Sequence, residues 1–134
     1  MRNIDHAITI TDADLQRLLP VIDHHDTPAA DSLASELHRA NVVPARAVPA
    51  DVVTMNSDVV YEDCETFGTR LVRVVYPKDA DAKRGHISVL APIGAALLGL
   101  RVGQSIEWPV PTGTKRVRVL ELRYQPEACG DFER

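Results

Sequence analysis

Cysteine is nearly absent: Cys64 and Cys129 are the only two in 134 residues. Two cannot make a disulfide framework, and they are too far apart for a Cys-x-x-Cys redox or zinc pair. Both read as ordinary reduced thiols. Aromatic residues are 4% of the chain, six scattered side chains: Tyr61, Phe67, Tyr76, Trp108, Tyr124 and Phe132. Positive charge is also short, with 15 Lys and Arg against 19 Asp and Glu and a formal net charge of -4. Such a chain lacks the cationic coat that grips phosphates, which argues against direct, specific nucleic-acid binding. No apolar run approaches the roughly 20 residues of a membrane span. Residues 1–6 hold no apolar stretch that could serve as a secretory signal, so the expected location is the cytoplasm. What is present is a hydrophobic fraction of 45% and a charged fraction of 25%. These are the proportions of one ordinary domain, or of one small domain with an accessory element.

The periodicity changes once along the chain. Residues 1–10 read as a mixed lead-in. Thr11 stands where an N-cap belongs and Asp14 follows three positions later, in the manner of a capping box. Leu15, Leu18, Leu19 and Ile22 then recur at helical spacing. Pro20 predicts a kink or an early end. Thr27-Pro28 is a second helix start, with Thr as cap and Pro in the first turn. Ala30, Leu33, Ala34, Leu37 and Ala40 trace its apolar face, and Pro44 is the expected stop. Residues 1–43 are therefore read as a short antiparallel helical hairpin. Each helix has about 11–13 residues, or ~17–20 Å at 1.5 Å per residue.

A Pro/Ala linker over 44–51 leads to a second part, 52–134, with strand patterning. Strands are expected over 57–64 and 70–76, joined by a hairpin loop, and a long charged loop over 77–85 follows. A short strand over 87–90 leads into a helix over 92–98 that Gly99 ends. The last strands cover 105–110 and 116–124, with a loose tail from Gln125. In the final strand the alternation slips near residue 119, which predicts a bulge or a sheet partly covered on both faces. The fold class is α+β: a helical hairpin plus an antiparallel sheet of about five strands with one short helix on a face.

Several residues invite a chemical reading. Asp23-His24-His25-Asp26 sits between the helices and resembles the Asp-His-His motif of two-metal phosphoesterases. The further aspartate motifs those enzymes need upstream are missing, so a solvated turn is the better account. Asp23 and Asp26 could share a hard cation such as Mg2+ with water, while His24 and His25, being adjacent, form a poor chelate. No metal or other cofactor is expected. Trp108 shares a strand face with Ile106 and Val110, which favours packing on the sheet. Arg70, Arg73, Arg116 and Arg118 form either a basic stripe for an acidic partner or a solvated face paired with Glu62 and Glu121.

Val53-Thr54-Met55-Asn56-Ser57, Val75-Tyr76-Pro77, and the run from Ile87 through Ser88, Pro92 and Gly94 to Leu100 together carry a family pattern. Val102-Gly103, Ile106-Glu107-Trp108 and Tyr124-Gln125-Pro126-Glu127-Ala128 complete it. Over residues 11–132 the chain resembles the Rnk family, regulators of nucleoside diphosphate kinase and short relatives of the Gre transcript-cleavage factors. The resemblance implies an N-terminal coiled coil and a C-terminal domain with the fold of FK506-binding proteins. It also implies a non-enzymatic, monomeric regulator whose partner is bacterial RNA polymerase, docked at the mouth of the secondary channel. There it would compete with Gre factors and affect the kinase indirectly. The Gre docking loop, Ile-Ser-x-x-Ser-Pro, matches Ile87, Ser88 and Pro92. Leu90 and Ala91 replace its polar positions. Ser88, Leu90 and Pro92 are the expected partner-binding residues, Leu90 as an apolar anchor unless it belongs to the core. Asp23, His24, His25 and Asp26 form the hairpin tip, on a hairpin only a fraction of Gre length. Direct regulation of the kinase remains an alternative, as does metal-assisted transcript cleavage, which the hairpin length disfavours. The fold also admits prolyl isomerisation, but the scattered aromatics offer no wall against which to desolvate and twist an X-Pro bond.

Overall fold

In the computed structural model, which describes residues 8–110 and 113–131, both helices start where their caps dictate. Thr11 Oγ1 accepts the Asp14 N–H at 3.0 Å and opens α1, Asp12–Asp23. Thr27 Oγ1 accepts the Ala30 N–H at 3.1 Å and opens α2, Pro28–His38. α1 runs through Pro20 to Asp23, so of the kink or early end expected at the proline, the early end does not occur. Leu18, Leu33 and Leu37 are buried, but Leu19, expected on the same apolar face, is 49% exposed.

The lead-in and the end of the hairpin are structured differently from the sequence expectation. Thr9–Thr11 is a strand, β1, and it pairs in parallel with β2, Asn41–Val43. α2 therefore ends at His38, well before Pro44, because the β-branched pair Val42-Val43 continues as strand and the Asn41 N–H donates to Ile8 O at 2.8 Å.

The larger sheet has five strands in the order β5-β4-β3-β7-β6. These are β3 Asp58–Asp63, β4 Thr69–Val75, β5 His86–Ser88, β6 Ser105–Val110 and β7 Gly113–Tyr124. Three pairings are antiparallel, but β4 and β5 run parallel, with Val75 opposite Ser88. The sheet is thus mostly rather than wholly antiparallel. The reason is the connection: two 3-10 turns, Pro77–Asp79 and Ala82–Arg84, carry the chain back along the sheet before β5 begins. The expected slip in the last strand is a bulge. Val60 pairs with Glu121 and Tyr61 with Val119, leaving Leu120 unpaired and 39% exposed.

The short helix α3, Pro92–Leu97, lies against the sheet with Gly94, Ala95, Ala96 and Leu97 buried. Small residues let it come close: a Cβ on Gly94 would stand 2.1 Å from Ser88 O. One continuous core joins Leu18, Leu33 and Leu37 of the hairpin to Met55, in the turn before β3, and to Val59, Val74 and Val117 of the sheet.

The N-terminal segment is seated at Gly99. Thr9 N–H donates to Gly99 O, and a Cβ on Gly99, whose φ is +83, would meet the Ile8 Cβ at 2.5 Å. The tail is tied as well, contrary to expectation. Gln125 is buried, and its amide donates to Pro49 O at 2.8 Å and Val52 O at 2.7 Å. A 3-10 turn, Glu127–Cys129, follows. The Trp108 and Val110 side chains, and Phe132, lie outside the described residues.

Candidate partner-docking site

The segment between β5 and α3 is a tight, internally bonded turn. The Ser88 side chain accepts the Leu90 N–H at 3.0 Å, and Ser88 O accepts the Ala91 N–H at 2.9 Å. These two bonds stop the strand at Ser88, two residues earlier than its apolar run predicts. Val89 is fully buried, and its N–H bonds to Val75 O at 2.8 Å. Pro92 starts α3 and holds Ala91 extended, at φ -71 and ψ 150. The result is a fixed loop with Pro92 exposed and Ser88 half-buried. Leu90 is half-buried, packed on the core by one side and open on the other.

Asp23, His24, His25 and Asp26 form the exposed turn between the helices. His24 closes α1, and its N–H bonds to Pro20 O at 3.1 Å. His25 Nδ1 donates to Val21 O at 2.7 Å, which fixes its ring against the last helical turn. Among the described residues no group of three or more His, Cys, Asp and Glu side chains could hold a metal ion. A groove of about 430 Å³ links this tip to the sheet. α1 contributes Pro20 and Val21, the tip His24 and His25, and the segment after β4 Tyr76, Pro77 and Lys78. Tyr76 directly follows Val75, the residue paired with Ser88, so the groove adjoins the strand pair that carries the loop. Sequence reading left Tyr76 and Lys78 out because they lie some fifty residues from the tip.

A buried polar contact locks the hairpin to the turn that leads into β3, and it too escaped the sequence reading. Asp14 Oδ2 accepts the Met55 N–H at 3.1 Å, and Asp14 is 2% exposed. Burial pushes its pKa up to about 6. The Met55 N–H opposes the rise, the Glu127 charge adds to it, and Arg17 and Thr11 counter it. Glu127 is itself held by the Thr54 hydroxyl, which donates to its carboxylate at 2.7 Å. Burial, with Asp14 nearby, also raises the Tyr76 phenol above its ordinary value.

The four arginines do not make one stripe. Arg70 pairs in register with Tyr61, on the core-facing side of the sheet, whereas Arg73 pairs with Asp58 on the other side. The latter are joined by two hydrogen bonds of 2.7 and 3.0 Å. Arg116 bonds Glu107, Arg118 lies opposite Glu62, and Glu121 meets Arg123. Acids and bases alternate across the outer face, as on a solvated sheet.

A short capped hairpin packed on a mostly antiparallel sheet, with a fixed loop before a buried helix, is an architecture that known proteins share. Residues 48–124 match the family model of the GreA/GreB transcription elongation factor C-terminus, and residues 6–43 match that of the Rnk N-terminus. A solved structure described as a prokaryotic transcription elongation factor GreA/GreB from Nitrosomonas europaea superposes with a TM-score of 0.74. The two are 43% identical, and the match covers 88% of this chain and 98% of that one. The regulator of nucleoside diphosphate kinase of Escherichia coli K12 is 43% identical over 129 residues, 93% of this chain and 95% of the relative. The transcription elongation factor GreA of Azorhizobium caulinodans is 32% identical over 92 residues, 69% of this chain and 59% of that protein. The chain belongs to the Rnk family, in which an Rnk N-terminus precedes a GreA/GreB-type C-terminal domain. These relatives bear the names of regulators and transcription factors, not of enzymes. No described helix is long and apolar enough to cross a membrane.

Proposed function

We propose that the chain is a transcription regulator that binds bacterial RNA polymerase at its secondary channel, competes there with Gre factors, and alters nucleoside diphosphate kinase indirectly through expression. In this reading the protein is a cytoplasmic monomer. Its hairpin, 1–43, acts as a short coiled coil; 44–51 is a linker; and 52–134 is a Gre-type domain of FK506-binding-protein-like fold. The observation that supports it best is the Ser88–Pro92 loop. It sits on a GreA/GreB-type domain, is held rigid by its own hydrogen bonds, and presents Pro92 with the open side of Leu90. A half-buried leucine on a rigid loop loses little entropy on docking.

The test is a titration of core RNA polymerase with the purified protein, with a Gre factor as competitor. Saturable binding that the competitor displaces, weakened about tenfold by Leu90→Ala or Pro92→Ala, is the expected result. No binding at tens of micromolar, roughly -6 to -7 kcal/mol, sinks the reading. The kinase named in the relatives' description then becomes the partner to test directly.

A further inference from the structure

The groove between the hairpin tip and the Tyr76–Lys78 segment is not explained by the docking loop. Its walls are apolar: Pro20 and Val21 on one side, Tyr76 and Pro77 on the other. Among the residues that line it, the charged or titratable side chains other than Tyr76 are basic, namely Arg17, His24, His25 and Lys78, while the Asp14 carboxylate lies buried behind Tyr76. Asp23 and Asp26, in the same turn, do not line it. In a chain of net charge -4, a concavity lined by Arg17 and Lys78 and by no carboxylate favours an acidic guest over a basic one. At about 430 Å³ it can take more than one side chain. Its walls are preorganised as well, because the His25 ring is tied to Val21 O and Pro77 opens a 3-10 turn.

We infer that this groove receives an acidic segment of the protein partner, an apolar side chain seated between Val21 and Tyr76 with flanking carboxylates facing Lys78 and the tip histidines. The inference rests on the polymerase-docking reading and adds a second contact to it, next to the first in space. A protein segment fits better than a nucleic-acid strand. A strand brings a charge at every nucleotide and would have to pass Asp23 and Asp26, whereas an acidic peptide brings its apolar anchor and its charges at separate points.

The experiment compares binding of the intact protein and three variants to core RNA polymerase, both free of nucleic acid and in complexes that contain RNA. Lys78→Glu and His24→Glu reverse or add charge at exposed rim positions. Arg123→Glu makes the same net-charge change as Lys78→Glu outside the groove. Circular dichroism and thermal melts confirm that each variant is folded. The expected result is a loss of about tenfold for Lys78→Glu, a similar loss for His24→Glu, a change under threefold for Arg123→Glu, and a shallower salt dependence for the Lys78 variant. If the wild type binds and both groove variants bind equally well, the groove is not part of the interface and the inference falls while the docking reading stands. A loss that appears only on complexes containing RNA overturns the protein segment as occupant. Failure of the wild type to bind overturns both.

Discussion

Asp14 carries the clearest consequence of a single side chain. Its neutral form is favoured in the folded protein, with a pKa of about 6 against 3.8 for the unperturbed group. The folded state therefore holds this proton more tightly than the unfolded state does. The stability it contributes is complete below the unfolded value and is lost as pH rises through the folded one, between about pH 4 and 6. The shift corresponds to about 3 kcal/mol. Asn at this position keeps an oxygen for the Met55 N–H and has no charge to bury. Removing the charge also gives up ~0.3–1 kcal/mol of favourable interaction with the helix dipole. Asp14→Asn should thus be more stable than wild type by about 2 kcal/mol at pH 7.5 and lose that advantage at pH 4. Urea unfolding of both proteins across this range checks it; a difference that does not change with pH counts against the buried charge. Gly94 is constrained by space alone. Gly94→Ala would bring a methyl against Ser88 O, so the loop or the helix must move. A loss of about 1–3 kcal/mol is expected in denaturant melts.

At the scale of elements, what was legible in the sequence was what is local. Thr11 and Thr27 could be read as caps because a capping hydrogen bond spans only three residues. Thr27→Ala should cost about 1 kcal/mol, measurable as a lowered melting temperature, since α2 has only 11 residues in which to absorb the loss. The β7 bulge was legible too, because a slip in alternation is written along one strand. The parallel pairing of β4 with β5, the β1-β2 pair and the tethered tail were not. Each is decided by a partner outside the segment itself: β5 turns parallel because of the 3-10 turns before it, and Thr9 reads as lead-in until Asn41 is beside it. The tail makes the point quantitatively. Gln125 bonds two carbonyls 76 and 73 residues upstream. Gln125→Ala should leave both without that donor and cost about 1–3 kcal/mol, seen as a lower urea midpoint with an unchanged slope. The candidate site divides in the same way. Ser88, Leu90 and Pro92 were proposed from the resemblance of their loop and the tip turn from local pattern, while the groove required Tyr76 to be carried to the tip by the sheet.

For the whole molecule the decisive quantity is reach. α1 has 12 residues and α2 has 11, so the hairpin extends only about 18 Å. Its base is part of the same core as the sheet, and Asp14 locks it there, which leaves little freedom to extend further. The tip, moreover, offers two exposed carboxylates, Asp23 and Asp26, in a turn where the described residues form no metal-binding cluster. On the proposed reading such a hairpin fills the mouth of a channel without reaching the catalytic centre. Added to arrested transcription complexes, the protein should cause no transcript cleavage of its own. When a Gre factor is also present, it should slow the cleavage that factor stimulates, in proportion to occupancy. Leu90→Ala should relieve the inhibition because it weakens docking, whereas replacing Asp23 and Asp26 together by Asn should leave it intact. Cleavage by this protein alone, abolished by the Asp23/Asp26 variant, would instead assign the tip a catalytic part and overturn the argument from length.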